Sequence, residues 1–373
     1  MKLLCLYQVM FQYRVGTYET ISKMPGVEFE LWHGRDVPNT KIKNYQGDVA
    51  FKHKQLPCFR LPIKTNNGSS TQQFIPFLLF RLIHFNPDVI LAEGASSIFS
   101  LSTAFIYTKL FHKRLIMWSM GRLAGREYSG IRKMIQSWIR TIEINSDALF
   151  VYSSQAEKYF IHEGVDPRRI FKAVNVIDTK AKISSLRESE PIRKELGFNV
   201  VFVGAINKTK RIEILIDAVE LLSQRHRDVK LHLIGDGNYM PNIRDYITNK
   251  ELDSIVVLHG RVTEGLNVLL SHYQVLALPG LGGLAIVDGM ISSLPIISGL
   301  ADGTELDLID TSNGFVTDNM TVDYMVEKLE YLYNNPNIAK KMGERSYEKI
   351  TGEFSYDNYI KQFSHCLDFV LDK

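Results

Sequence analysis

Leu278-Pro-Gly-Leu-Gly-Gly-Leu-Ala-Ile-Val-Asp288-Gly-Met-Ile-Ser-Ser-Leu-Pro295-Ile-Ile-Ser298 reads as the end of a strand, a glycine-rich turn, a helix start and the next strand. The apolar run Val275 to Leu278 fits a buried strand, and Gly280, Gly282 and Gly283 follow it directly. Glycine permits positive φ and lets a ligand approach the main chain closely. Helical character begins at Leu284, so the amides of Gly282, Gly283 and Leu284 are expected at a helix N-terminus, where unpaired N–H groups and the helix dipole favour a phosphate. Asp288 follows about one turn in and is expected near the same place. A plain tight turn with an acid complementing the dipole accounts for the same residues.

Outward from this stretch, apolar strand-like runs alternate with amphipathic helical ones. In the first half the expected strands are Leu3 to Tyr7, Val27 to Trp32, Val89 to Ala92, Leu115 to Trp118, Ala148 to Tyr152 and Ile170 to Val174, with helices such as Phe77 to His84, Ser97 to Phe111, Ile131 to Glu143 and Ser154 to His162. Lys180 to Glu195, charged, poor in apolar residues and containing Pro191, is the best linker candidate. The alternation then restarts, with strands at Val200 to Gly204, Lys230 to Ile234, Ile255 to His259, Val275 to Leu278 and Pro295 to Ser298. Helices are expected at Arg211 to Gln224, Met240 to Asn249, Thr263 to His272 and Ala285 to Ile291. Strands separated by helices of this length predict parallel sheets, hence an α/β chain of two consecutive Rossmann-like domains. In such sheets ligands bind beyond the carboxyl ends of the strands, and with two facing domains the natural site is the cleft between them. The expected division is residues 1–190, residues 191–350, and a C-terminal helix over 351–373 packing back toward the first domain.

A length of 373 residues agrees with two domains. Three scattered cysteines (Cys5, Cys58, Cys366) point to a reducing cytoplasm rather than a disulfide framework. The apolar start is too short for a signal peptide and reads as a first buried strand. The longest apolar segment, Phe74 to Phe85, contains Pro76, Arg81 and His84 and falls short of the roughly 20 residues that span a bilayer. The expected location is therefore cytoplasmic, with any membrane attachment peripheral. Residues 1–194 carry 28 Lys and Arg against 16 Asp and Glu, whereas residues 195–373 carry 16 against 25, so the two halves differ in sign. Lys109 to Arg140 holds eight basic residues and one acid, Glu127, interleaved with Trp118, Tyr128 and Trp138. That pattern suits an anionic membrane surface or another polyanion; a solvated helix face lining a diphosphate cleft carries the same charges. No nucleic-acid partner is expected.

Several ordered motifs in the second half resemble those of GT-B type glycosyltransferases of family 4. Val201-Phe-Val-Gly-Ala-Ile-Asn-Lys-Thr-Lys210-Arg-Ile-Glu-Ile-Leu-Ile-Asp-Ala218 is similar to that family's strand, "GRL" turn and helix. Leu231-His-Leu-Ile-Gly-Asp-Gly237 resembles its "IGDGP" segment, and His259-Gly-Arg-Val262 its "GxV" loop. Leu278 to Ser298 resembles its Glu-x7-Glu block, Glu305 and Asn313-Gly-Phe-Val316 its "GGxxE…NGxLV", and Phe354-Ser-Tyr356 its "FSW". A weaker likeness extends into the first half through Ser146 to Ser154 and Gly164 to Asp178.

The resemblance implies a GT-B fold, a retaining mechanism without metal or other cofactor, and a nucleotide-sugar donor linked to UDP or GDP. By it, Lys210 contacts the donor diphosphate and Asp288 the ribose, while Gly204, Lys208, Arg211, Gly235, Val262, Gly280, Gly282, Gly283 and Leu284 line the donor site. The family's "GRL" arginine falls on Ala205, for which Lys208 or Arg211 is the substitute at hand. Its first glutamate falls on Gly280, and its second on the shorter Asp288. In the first half, Arg14, Gly16, Glu93, Ser119 and Gly121 follow expected strands and are the acceptor or cleft candidates; Gly94 adjoins Glu93. No general base is identifiable, and the histidines show no metal-type pairing with carboxylates.

The expected function is transfer of a sugar to a lipid-linked glycan or polysaccharide acceptor, in cell-surface polysaccharide or lipopolysaccharide biosynthesis at the inner face of the membrane. A scaffold that binds nucleotide or glycan with impaired catalysis is the alternative, resting on Ala205, Gly280 and Asp288. An epimerase or phosphorylase on the same scaffold lacks assignable acid–base carboxylates or a Schiff-base lysine.

Overall fold

The computed structural model describes residues 1–372 except 39–41, 66–67, 94–96, 123–129, 189–195 and 263. Gly94, Glu127, Tyr128, Thr263 and the end of the expected linker lie outside the described residues. The chain forms two compact units, residues 1–173 with 357–373, and residues 174–356.

Unit 1 contains β1 (Lys2–Tyr7), α1 (Val15–Ser22), β2 (Glu28–His33), β3 (Lys52–Gln55), β4 (Phe59–Thr65), β5 (Gly68–Phe74), α2 (Leu78–Phe85) and β6 (Val89–Glu93). It continues with α3 (Ile98–Leu110), β7 (Arg114–Ser119), α4 (Gly130–Ile144), β8 (Ala148–Val151), α5 (Ser154–His162) and β9 (Ile170–Lys172). Its main sheet is parallel, in the order β3-β2-β1-β6-β7-β8-β9. Leu3, Leu4, Val89, Ile90, Leu115 and Ile116 are wholly buried, as parallel strands covered on both faces require. β4 and β5 form a separate antiparallel hairpin. The sequence reading had no element over residues 52–74. β3 is Lys-His-Lys-Gln, exposed along its length, so this edge strand carries no apolar period to detect.

Unit 2 contains α6 (Lys180–Glu188), β10 (Phe198–Val203), α7 (Ile212–Ser223), β11 (Val229–Ile234), α8 (Met240–Asn249), β12 (Val256–Gly260), α9 (Leu266–Leu270) and β13 (Val275–Leu278). It ends with α10 (Ala285–Ile291), β14 (Ile296–Gly299), α11 (Thr304–Leu308), β15 (Gly314–Thr317), α12 (Val322–Asn334) and α13 (Pro336–Thr351). The sheet order is β12-β11-β10-β13-β14-β15, again parallel throughout. The chain therefore winds outward from β10 to β12, then restarts on the other side of β10 with β13. That reversal is the switch point at which open α/β sheets leave a crevice for ligands. It brings the loop after Val203 beside the loop after Leu278.

Unit 2 begins at Val174, ahead of the expected boundary at 190/191. The reason is α6, a helix where a linker was expected: it packs on α9, and Lys182 on it forms an ion pair with Asp288. Helix α9 covers only Leu266–Leu270 of the expected 263–272, because Gly265 ahead of it takes a left-handed conformation, φ +66°. The last helix, α14 (Tyr356–Leu371), closes unit 1. Phe363 sits 5.4 Å edge-on from Phe150, Tyr359 5.4 Å from the same ring, and Phe369 5.4 Å from Phe171. Burying one such phenyl ring contributes about 2–3 kcal/mol.

Candidate active site

The glycine turn after β13 lies against the turn after β10. In the latter, Asn207 caps a 3-10 turn over Lys208–Lys210, accepting from the Thr209 amide at 3.1 Å. The Lys210 ammonium crosses to the glycine turn and donates to the Leu281 carbonyl. The main chains are so close at Gly280 that a Cβ there would stand 2.3 Å from the Thr209 carbonyl oxygen and 2.8 Å from the Lys210 Cα. No side chain fits, so the family's first glutamate has no room in this backbone. Gly283 takes φ +61°, the left-handed turn that lets the chain enter α10. Among the described residues, no acceptor engages the amides of Gly282, Gly283 or Leu284.

Charge is concentrated behind Lys210. Burial pulls the Lys210 ammonium below the usual lysine range, against the opposing pull of Glu305 and Asp302. Glu305 is wholly buried, and its Oε2 accepts from the Gly303 amide at 3.1 Å. Burial, then Asp302, raises its carboxyl above the usual range. The arrangement is a cation beside open amides with a buried acid nearby, a combination suited to an anion.

The other donor-site candidates occupy distinct places. Gly204 and Gly235 end β10 and β11, with their amides donating to Ile234 O at 3.0 Å and Gly260 O at 2.7 Å. Val262 follows β12, half-buried. Lys208 is exposed and has no ion pair among the described residues. Arg211, by contrast, turns its Nη2 to the Met320 carbonyl at 2.9 Å. Of the two substitutes for the cation missing at Ala205, Lys208 is therefore the one available. Asp288 does not join Lys210: it is 8% exposed, paired with Lys182, and approached by Asn267 Nδ2, which donates to its backbone oxygen at 3.0 Å. The sequence reading missed Lys182 and Asn267; neither lies in a recognisable motif, and Lys182 falls in the expected linker.

In unit 1 the expected cleft residues gather at the ends of β1, β6, β7 and β8, but several are interior. Arg14 is 2% exposed, its guanidinium 3.9 Å over Trp118 and its Nη2 donating to Tyr152 Oη at 3.0 Å. Burial opposes its charge, and the surrounding hydroxyls of Tyr152, Tyr359, Tyr7 and Tyr13 outweigh that opposition. Arg14, an acceptor or cleft candidate from the sequence, is thus enclosed by Trp118 and the tyrosines rather than set at the surface. Tyr152 also donates to Glu93 Oε1 at 3.2 Å, and burial raises the Glu93 carboxyl despite Tyr7, Arg14 and Tyr152. Ser119 is likewise buried: its Oγ donates to Glu143 Oε1 at 2.6 Å and accepts from the Gly121 amide at 3.0 Å. Gly16 lies in the first turn of α1, where its carbonyl accepts from Thr20 Oγ1 at 2.9 Å. Among the described residues, no three or more His, Cys, Asp and Glu are grouped to hold a metal ion.

Two parallel α/β sheets, with a glycine turn and a lysine at the switch point of the second, share the GT-B fold of solved glycosyltransferase structures. Residues 172–349 match the model of the family described as glycosyl transferases group 1. The chain is 28% identical over 167 residues to the poly(ribitol-phosphate) alpha-N-acetylglucosaminyltransferase of Staphylococcus aureus, an alignment covering 43% of this chain and 34% of that protein. Among solved structures it is similar to HepE of Anabaena in complex with UDP, with a TM-score of 0.73 at 17% identity over 99% of this chain and 100% of that one. S. aureus TarM in complex with Fondaparinux, alpha-GlcNAc-glycerol and UDP gives a TM-score of 0.70 at 14% identity, over 99% of each chain.

Proposed function

We propose that the chain is a retaining, family 4, metal-independent glycosyltransferase that moves a sugar from a UDP- or GDP-linked donor to a lipid-linked glycan or polysaccharide acceptor. The observation that carries this reading is Lys210 set across the glycine turn beside the open amides of Gly282, Gly283 and Leu284. When the glycosidic bond to the donor breaks, negative charge grows on the leaving diphosphate. A preplaced ammonium and N–H donors stabilise that charge more than they stabilise the ground state. Lys208 adds a second cation, and Asp288, held by Lys182 and Asn267, accepts from the ribose hydroxyls. The leaving phosphate takes the acceptor proton, which accounts for catalysis with no assigned general base.

The named relatives support the donor and acceptor classes: HepE and TarM were solved with UDP, and the S. aureus relative is named for a poly(ribitol-phosphate) acceptor. On this reading the protein works at the cytoplasmic face of the membrane in cell-surface polysaccharide assembly. A panel of UDP- and GDP-sugars with the purified protein, followed by NMR of the product anomer, tests it. Release of nucleotide with retained configuration is expected, unaffected by a chelator; inversion at the anomeric carbon would overturn the retaining mechanism. The second reading, a nucleotide-binding scaffold, draws on Ala205, Gly280 and the Lys182–Asp288 pair. It predicts thermal stabilisation by UDP or GDP with no turnover of any sugar.

A further inference from the structure

Two histidines meet at the edge of the unit 2 sheet, and an irregularity in the strand pairing falls on one of them. β11 and β12 pair Leu233 with Leu258 and then Ile234 with Gly260, so the pairing skips His259. An extra residue of this kind re-aims its side chain. His259 Nε2 stands 3.0 Å from His232 Nδ1, and Tyr273 Oη is 3.4 Å from the same Nε2.

The hydrogens on these rings follow from their partners. Asn199 Nδ2 donates to the Leu196 carbonyl at 3.1 Å, which turns Asn199 Oδ1 toward His232 Nε2 at 3.0 Å. An amide oxygen only accepts, so His232 Nε2 bears the hydrogen and His232 Nδ1 keeps its lone pair. The hydrogen between the rings is therefore on His259 Nε2, facing both His232 Nδ1 and Tyr273 Oη. One proton thus holds the point on which three ligand-type atoms converge. Metal-binding histidines are oriented in the same way, with the other ring nitrogen donating to an oxygen that fixes the tautomer.

The spacing suits a metal ion in place of that proton. Ligand atoms 2.0–2.1 Å from a tetrahedral zinc stand about 3.3 Å apart, close to the 3.0 and 3.4 Å found here. Imidazole suits zinc, copper and nickel, whereas magnesium and calcium take oxygen ligands. His259 is exposed, while His232 and Tyr273 are 5% and 0% exposed, so an ion enters from the His259 side and takes water as its remaining ligand. The set is two imidazoles and a phenol rather than a cluster of His, Cys, Asp and Glu, of which none with three members occurs among the described residues.

We propose that His232 Nδ1, His259 Nε2 and Tyr273 Oη bind a divalent ion of the zinc class, which ties the edge strand β12 to β11. On binding, His259 moves its hydrogen from Nε2 to Nδ1, and Tyr273 releases its phenol proton to solvent. The ion sits on other strands than Lys210 and the glycine turn, and it takes no part in the proposed sugar transfer.

The full, tag-free chain is stripped with a chelator, dialysed, and titrated with Zn²⁺ by calorimetry and with Co²⁺ by visible absorption. One ion per chain is expected, with the absorption of four-coordinate cobalt and a rise in melting temperature on adding Zn²⁺. His259→Gln alters an exposed side chain, and Tyr273→Phe keeps the ring; each should weaken binding about tenfold or more, and His259→Gln should abolish the melting shift. His53→Gln, which breaks the other imidazole pair, His33 Nε2 with His53 Nδ1 at 3.2 Å, should leave binding unchanged. No ion bound by the folded chain, binding unchanged in either His259→Gln or Tyr273→Phe, or binding lost in His53→Gln would overturn the proposal. UDP binding is scored separately on the stripped chain, so a chain that binds Zn²⁺ here but no nucleotide refutes the transferase reading and not this one.

Discussion

Lys182 on α6 forms an ion pair with Asp288 on α10, 106 residues further along the chain, and both lie in unit 2, which begins at Val174. The Asp288 side chain is 11% exposed and that of Lys182 31%. Removing the lysine leaves a mostly buried carboxylate with Asn267 alone. Lys182→Met is expected to lower stability by about 1–2 kcal/mol, less than for a fully buried pair because the lysine is partly solvated. In a double-mutant cycle, Lys182→Met with Asp288→Ala should cost less than the sum of the single changes. Strict additivity of the two melting shifts would mean the pair contributes nothing.

On the proposed reading, Lys210 is the group that meets the leaving diphosphate. Lys210→Ala should reduce turnover at least ~10-fold while the fold persists, since the lost interaction belongs to developing charge. Lys208→Ala should mainly raise KM for the donor, while Arg211→Ala, which frees the Met320 carbonyl, should act on stability. Steady-state kinetics with the preferred donor distinguish these outcomes; unchanged kcat in Lys210→Ala would remove it from the mechanism.

Gly280→Glu restores the acid of the family pattern, yet it is expected to damage the protein. Its Cβ would stand 2.3 Å from the Thr209 carbonyl oxygen, and the two turns would have to part. Overpacking of this kind costs about 1–3 kcal/mol and would displace Lys210. A variant as stable as the parent, with higher activity, would contradict the observed close approach.

Glu143 makes stability depend on pH. Burial lifts its carboxyl from 4.5 to about 7, against the hydrogen bond from Ser119. The folded state therefore holds this proton more tightly than the unfolded chain does. Its stabilising effect is complete below about pH 4.5 and is lost as pH rises through about 7, a change on the order of 3 kcal/mol. Glu143→Gln keeps an acceptor for Ser119 without the charge. Melting curves should show the variant more stable than the parent above pH 7 and a flatter profile below it; parallel profiles would show that Glu143 does not titrate in this range.

Much of the fold was legible because buried parallel strands must be apolar and their crossovers helical, as at Val200–Gly204 and Arg211–Gln224. The glycine turn was legible for a similarly local reason, since an apolar strand, three glycines and a helix start follow one another directly in sequence. β3 and α6 were not, because their residues are largely polar and carry no period that burial would impose. The cleft residues of unit 1 misled for a different reason. Arg14 is the one charged residue of its loop, and its enclosure comes from Trp118, Tyr152 and Tyr359, up to 345 residues away.

From the chain alone follow the two α/β units and the turn at residues 278–284, since each depends on neighbours within a few residues, whereas Lys210 was singled out by its place in a family-like motif. Folding in three dimensions settled which charges meet: Asp288 with Lys182, Arg14 with Trp118, and Lys210 with the Leu281 carbonyl. Electrostatic partners are chosen by distance in space and by how deeply water is excluded, and neither is encoded in any short stretch of sequence.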